Sequence, residues 1–379
     1  MKVYFDNAAT TPIDTEVFDA MVPVLTEHFG NPSSIHFHGR AARTYIEKSR
    51  KKIADLLNTS PSEIFFTSGG TEADNTILLG AVQQLGIEQI ITSRIEHHAV
   101  LHTAEYLAQK FNITLSFVAL DEKGQVEIGS LEALLKANKK SMVSLMHANN
   151  EIGNLLNLEE IGSLCRAYGA IFHSDTVQSL GHLKHDLASL PLDFMVGSAH
   201  KLHGPKGIGL LYIRHSAKIP PFIRGGSQER NMRGGTENIA GIVGLAKALE
   251  LAYTHMDDHR KHIEQLKAAM ILSLKASLPG IRFNGLSDQS GSSLHTILNV
   301  SLPPSDQNEM LLFNLDINGI SASGGSACSS GTQIGSHVLA ALGHDNDRGA
   351  IRFSFSRKNT LDEVNYVVEK LRELYSVGQ

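Results

Sequence analysis

The chain has 379 residues, 42% of them apolar and 19% charged, with a formal net charge of -5 when histidine is neutral. These values fit a folded protein long enough for two domains and exclude a disordered chain. The acidic balance argues against nucleic acid as the main partner, because phosphate binding shows as a basic excess.

No apolar run approaches the roughly 20 residues that a bilayer span needs. The start, Met1-Lys2-Val3-Tyr4-Phe5-Asp6-Asn7, lacks the apolar stretch of a signal peptide. A cytoplasmic protein without membrane contact is expected. Cys165 and Cys328 are the two cysteines, which rules out a disulfide framework and a paired-cysteine zinc site. The 19 histidines show no HExxH or comparable ligand spacing, so no intrinsic metal is expected and most histidines read as surface residues.

In chain order, residues 39–57 place Ala42, Ile46, Ile53, Leu56 and Leu57 at helical intervals, with the charged run from Glu47 to Lys52 as a solvated face. Short apolar runs at 87–92, 114–120, 142–147, 170–173, 193–197 and 208–213 have the length and branching of buried strands. Helical stretches at 72–85, 97–110 and 158–168 lie between them. This alternation predicts an α/β fold with a mostly parallel sheet, whose ligands bind beyond the carboxyl ends of the strands. After about residue 240 the pattern changes. Ile263, Leu266, Met270, Leu274 and Leu278 mark a long helix that stops at Pro279-Gly280. A polar loop at 284–293, strands at 296–302 and 350–356 and a helix at 360–375 complete a smaller C-terminal domain.

Several motifs carry chemistry. Thr67-Ser68-Gly69-Gly70-Thr71-Glu72 follows a strand and opens a helix, where free amides and the helix dipole favour a phosphate. A plain turn with a capping threonine is the alternative. Asp175, in Phe172-His173-Ser174-Asp175-Thr176-Val177-Gln178, follows a strand and can pair with a protonated pyridine nitrogen, or simply cap a helix. In Ser198-Ala199-His200-Lys201, Lys201 is the Schiff-base candidate, its amine made nucleophilic by partial burial. Ser198 and His200 can donate to a phosphate. A lone lysine there reads as solvated. A phosphate turn, a strand-end aspartate and a strand-end lysine in one α/β domain together point to pyridoxal 5'-phosphate.

Cys328 lies in Ser323-Gly324-Gly325-Ser326-Ala327-Cys328-Ser329-Ser330-Gly331, which is too small and polar to build a core. A thiol there reads as reactive, whereas Cys165, among Ile161, Leu164 and other apolar residues, reads as buried and inert. Arg352 and Arg357, in and after Ile351-Arg352-Phe353-Ser354-Phe355-Ser356, offer forks for a carboxylate, with a structural ion pair as the competing reading for Arg357. His97 and Asn150 stand at strand exits. His97 can stack on a ring and move protons, and His98 reads as a surface residue.

From Phe5-Asp6-Asn7-Ala8-Ala9-Thr10-Thr11-Pro12 to about Arg357, the chain resembles a class V aminotransferase-fold cysteine desulfurase of the NifS/IscS type. The resemblance implies a pyridoxal-phosphate-dependent transferase of fold type I, like aspartate aminotransferase. The large domain would span 14–254. The small α+β domain would span 1–13 and 255–379 and carry the cysteine loop at about 322–336. It implies that Lys201 forms the Schiff base, Asp175 holds the pyridine nitrogen, Gln178 holds the ring oxygen and His97 stacks on the ring. Gly70, Thr71, Ser198 and His200 would bind phosphate, with Thr236, in Arg233-Gly234-Gly235-Thr236-Glu237-Asn238, reaching in from the other subunit of a homodimer. Asn150 and Arg352 would hold the carboxylate of L-cysteine. Cys328 would become a persulfide and pass sulfur to an iron–sulfur scaffold or sulfur carrier, with transient ligation of a cluster by Cys328 left open. Ala199 and Gly335 stand where relatives often carry Gly and Pro. A selenocysteine lyase, another aminotransferase or β-lyase, and a non-catalytic scaffold of the same fold are the alternatives.

Overall fold

The short branched runs pair side by side in the computed structural model, which describes residues 1–137, 139–324 and 335–376. The first part of the chain forms β1 (Val3–Tyr4), α1 (Thr15–Thr26), α2 (Phe37–Leu56), β2 (Ile64–Thr67), α3 (Gly70–Gln84), β3 (Gln89–Thr92), α4 (His98–Phe111), β4 (Thr114–Phe117) and α5 (Ile128–Leu135). Next come β5 (Ser141–Ser144), α6 (Leu158–Ala167), β6 (Ile171–Asp175), β7 (Phe194–Ser198), β8 (Gly209–Ile213), α7 (Ile239–Thr254) and α8 (Met256–Ser277). The last part holds β9 (Arg282–Phe283), β10 (Ile297–Pro304), α9 (Leu311–Ile317), β11 (Ile320–Ser321), α10 (His337–Ala341), β12 (Arg348–Ser354) and α11 (Leu361–Ser376).

Among the described residues, seven strands form the main sheet in the order β2-β8-β7-β6-β5-β3-β4. Only β8 runs against its neighbours in that sheet; the other pairings are parallel. Both faces are covered. Ile91, Val143, Phe172, Met195 and Leu210 point to a core shared with α2, α6 and α7. Ile90, Met142, Phe194, Val196 and Leu211 point to a core built with α3 and α4. Neighbouring residues on a strand face opposite sides, so a strand buried on both must be apolar throughout. That is why these segments read as continuous runs.

A third core joins the N-terminus to the end of the chain. Val3 and Phe5 pack with Leu266, Met270 and Leu274 of α8, Leu298 and Val300 of β10, Ile351 and Phe353 of β12, and Val364 and Leu371 of α11. Phe5 meets Phe355 edge-on with ring centroids 5.1 Å apart. β12, β10 and β9 form an antiparallel sheet here, and β1 pairs in parallel with β11. This packing carries residues 6–9 over to the main sheet's ligand edge.

Two features differ from the sequence expectations. The charged run in α2 is not solvated throughout: Arg50 is 1% exposed and pairs with Glu229. Nor are the histidines mainly superficial, since His173, His185, His203 and His295 are buried. Helices α1 and α7 escape the periodicity analysis. α7 buries Ala240, Ile242, Leu245, Ala246, Ala248, Leu249 and Leu251 on several sides, which erases the polar face that marks an amphipathic helix.

Candidate active site

Strand register builds the site. Thr67, the last residue of β2, lies opposite Gly209, and Gly209 lies opposite Ser198, the last residue of β7. The turn after Thr67 and the hydroxyl of Ser198 therefore meet across one residue of β8. Gly209 is required by this approach, because a Cβ there would sit 2.7 Å from the main chain of Gly69. Gly70 then starts α3. A Cβ on Gly70 would lie 2.8 Å from Cγ2 of Val177, so the turn packs on the segment following Asp175.

These strand ends open into a cavity of about 270 Å³. Gly70, Thr71 and Asp74 of α3 line it, with His97 from the loop before α4 and Asn150 from the segment after β5. Asp175 and Gln178 enter from the end of β6, and Ser198, His200 and Lys201 from the end of β7. Ala8 and Ala9 reach it from the N-terminus, and Arg352 from β12. Eleven polar or glycine positions from six segments thus share one concave volume.

Hydrogen bonds set most of these side chains. Lys201 Nζ donates to the carbonyls of Ala8 and Ala9 at 2.5 and 2.9 Å. Gln178 Nε2 donates to the carbonyl of Ala8 at 3.0 Å. Asp175 Oδ1 accepts from the Val177 amide at 2.8 Å. His97 Nδ1 accepts from the Ala99 amide at 3.1 Å and so caps α4. With Nδ1 accepting, a neutral His97 carries its proton on Nε2. Arg352 donates from Nη1 to the Asn150 carbonyl and from Nη2 to Asp6 Oδ1, each at 2.8 Å.

The aminotransferase class-V family model matches residues 3–367. The chain belongs to the class-V aminotransferase family. It is 41% identical to a protein named cysteine desulfurase IscS from Clostridium botulinum (strain Hall), over 98% of this chain and 94% of the relative. A solved structure described as a NifS-like protein is 38% identical, covers all of both chains and superposes with a TM-score of 0.91. Another, described as SspA in complex with cysteine, is 31% identical over 95% of this chain and all of its own, with a TM-score of 0.82.

Burial sets the direction of the charge states in this member of the family. It pushes the Asp175 carboxyl up, against the opposing pull of His97 and Lys201. The Asp74 carboxyl is pushed well above its ordinary value, by burial first and then by Asp175 and Glu96. Burial lowers His97, and burial aided by Lys201 and Lys206 brings His200 down to about 4. An acid that resists ionising in an apolar surround is stabilised by a cation placed beside it.

The residues fit the family's pyridoxal phosphate on observations within the cavity. Asn150 Oδ1 and Arg352 Nε are buried without hydrogen-bond partners, and Asp74 Oδ1 lies 3.3 Å from His173 Nε2. The helix start at Gly70 and Thr71 lies with Ser198, His200 and Lys201 along the same wall set, a donor array suited to a phosphate.

Some expected residues lie elsewhere. Thr236 lines a second cavity of about 190 Å³ with Ser68, Glu229 and Arg233, and does not line the first. Arg357 pairs with Asp14, as the ion-pair reading allowed. Cys328 falls outside the described residues. Cys165 is buried, and burial pushes its thiol up to about 12, which makes it inert. Sequence reasoning missed Asp74 and the carbonyls of Ala8 and Ala9. Asp74 had a usable signal: it stands one helical turn after Gly70 and so shares its face.

Proposed function

We propose that this family member is a cysteine desulfurase. It holds pyridoxal 5'-phosphate in the 270 Å³ cavity, converts L-cysteine to L-alanine and takes the sulfur as a persulfide on Cys328. The reading is carried by the convergence of Lys201, Asp175, His97 and Arg352 on one cavity. It is supported by relatives named as cysteine desulfurases.

Bound pyridoxal phosphate supplies an electron sink for the pair left behind when a Cα proton is removed. Lys201 supplies the amine that tethers it. Gly70 and Thr71, at the start of α3, and Ser198 and His200 hold its phosphate, joined by Thr236 of the partner subunit. Asp175, reluctant to ionise alone, would take its counter-charge from the protonated ring nitrogen, and Gln178 would hold the ring oxygen. Arg352 binds the carboxylate of L-cysteine with the Nε–H that its partners leave unused, and Asn150 donates to it from Nδ2.

Lys201, as a free amine, would be the base for the Cα proton. His97, kept neutral by burial, exchanges a proton at Nε2 with the substrate thiol. The Cys328 thiolate attacks the substrate sulfur. One C–S bond breaks, one S–S bond forms and the carbon takes a proton, so L-cysteine plus a thiol gives L-alanine plus a persulfide with no outside oxidant. An acceptor protein, an iron–sulfur scaffold or a sulfur carrier, then removes the outer sulfur.

A homodimer belongs to this reading. Phe18, Leu25, Phe29, Ile35 and Phe37 are exposed along α1, the start of α2 and the loop between them. Exposed apolar side chains on consecutive segments support an interface there. The division into 14–254 and 1–13 with 255–379 is supported by the separate core around Phe5, Leu298 and Phe353. No helix among the described residues is long and apolar enough to cross a membrane.

Incubation with L-cysteine followed by peptide mass spectrometry tests the function. One added sulfur on the Cys328 peptide and an equal yield of alanine are expected. Cys328→Ala should keep the coloured cofactor and lose both products; full turnover by that variant would reject the reading.

A further inference from the structure

Asp6 touches the substrate end of the cavity through two neighbours. Its Oδ1 accepts from Arg352 Nη2 at 2.8 Å and from the Ser323 hydroxyl at 2.7 Å. The main chains of Ser323 and Arg352 also exchange hydrogen bonds, at 3.3 and 2.6 Å. Asp6 is itself held in place. It bridges to Ser354 of β12, its carbonyl accepts from Ala9 at 3.0 Å, and the flanking Phe5 is fully buried.

Arg352 is 1% exposed, so each of its N–H groups counts energetically. The Asn150 carbonyl takes a hydrogen from Nη1 and Asp6 takes one from Nη2. Nε has no partner. The planar fork is thus gripped from two corners while Nε and the second hydrogens of the two Nη groups remain for a ligand. That is the hydrogen-bonding capacity a carboxylate uses. A fork with fixed orientation loses less entropy on binding than one that must be ordered by the ligand.

Asp6 is also softened as a counter-ion. Its side chain is 20% exposed, and the oxygen facing Arg352 is shared with the Ser323 hydroxyl. The part that matters for an arriving carboxylate is therefore the acceptor oxygen, which aims the guanidinium, rather than the full negative charge. An asparagine keeps that oxygen; an alanine does not.

We propose that Asp6, with Ser323, is the positioning residue that aims Arg352 at the substrate carboxylate and makes the site prefer amino acids to the corresponding amines. The inference rests on the assignment of Arg352 to the carboxylate. It places a specificity role on the N-terminal segment, which the cofactor chemistry leaves without one.

The test uses the cofactor-loaded full chain and three ligands: L-cysteine, cysteamine, which lacks the carboxylate, and 3-mercaptopropionate, which lacks the amine. Asp6→Ala should raise KM for L-cysteine about tenfold while kcat changes less than about threefold. Asp6→Asn should restore KM to within about threefold of the parent. Calorimetric titration should show 3-mercaptopropionate binding about tenfold more weakly to Asp6→Ala, and cysteamine binding as it does to the parent. If Asp6→Ala does not fold, Ser323→Ala carries the test, with a loss of about threefold confined to 3-mercaptopropionate and L-cysteine. Equal losses for cysteamine and 3-mercaptopropionate, or no rescue by Asp6→Asn, would overturn the proposal. Arg352→Gln separates the two levels. If it leaves KM for L-cysteine unchanged, the carboxylate assignment fails; if it raises KM while Asp6→Ala and Ser323→Ala do not, only the role of Asp6 fails.

Discussion

Lys201 Nζ donates a 2.5 Å hydrogen bond to the carbonyl oxygen of Ala8, joining residues 193 positions apart. The N-terminal segment therefore forms part of the wall that holds the lysine. The amine is oriented within the cavity by main-chain oxygens, which cannot compete with an aldehyde for a covalent bond. Lys201→Ala should yield a folded protein without the visible absorbance of a tethered cofactor. An unchanged absorption spectrum after addition of pyridoxal phosphate would refute the assignment.

Arg50 and Glu229 make a two-point contact, with Nη2–Oε1 at 2.8 Å and Nη1–Oε2 at 2.9 Å, and both side chains are 2% exposed. Glu229 also accepts from the Phe66 amide at 2.9 Å, one residue before the end of β2 and the phosphate turn. Its φ of 43° and that of Arg230, 55°, lie in the left-handed region, so the contact holds a costly loop shape. Glu229→Gln leaves the buried Arg50 with only the half-exposed Glu47, 3.2 Å from its Nε, as a counter-ion. Urea unfolding should show a loss of about 3 kcal/mol, and cofactor affinity should fall because the turn after Phe66 loses its support. A loss in the range of a surface pair, below about 1 kcal/mol, would count against this account.

Gly209 faces both strand ends that frame the phosphate turn. Gly209→Ala drives a methyl group against the Gly69 main chain, which cannot rotate away as a side chain tip would. The expected cost is about 1–3 kcal/mol, read mainly as weaker retention of the cofactor in equilibrium dialysis. Retention equal to the parent would show that the turn can shift without consequence.

Lys267 of α8 is buried, with Nζ donating to Ser293 Oγ and the Leu294 carbonyl at 3.1 Å each. Burial brings its pKa down from 10.5 to about 7, despite Asp288 and Glu264. Between those values the unfolded chain holds a proton that the folded chain has released, so unfolding takes up a proton and stability rises with pH. Below the folded value both states are protonated and the contribution is flat. Comparing urea midpoints of the parent and Lys267→Met from pH 7 to pH 10, the parent should gain on the variant as pH increases. A constant difference would mean that the lysine does not titrate in this window.

Local pattern was enough to read most of the scaffold and the chemical alphabet of the site. Strands buried on both faces must be apolar throughout, so β3, β5, β6, β7 and β8 announce themselves as short runs such as those ending near Asp175 and Ser198. Parallel strands linked by helices put their carboxyl ends on one edge, and that rule located Gly70, Asp175 and Lys201 together before any coordinates. What the amino-acid order could not express was which distant groups meet there. Arg352 reaches the cavity because Phe5 and Phe353 share a core. Asp74 turns inward and Arg50 is buried because of what packs on their helices, which their charge would not suggest. Spacing along a chain encodes the shape of one element, whereas these contacts depend on how separate elements fill space against one another, and only the folded molecule decides that.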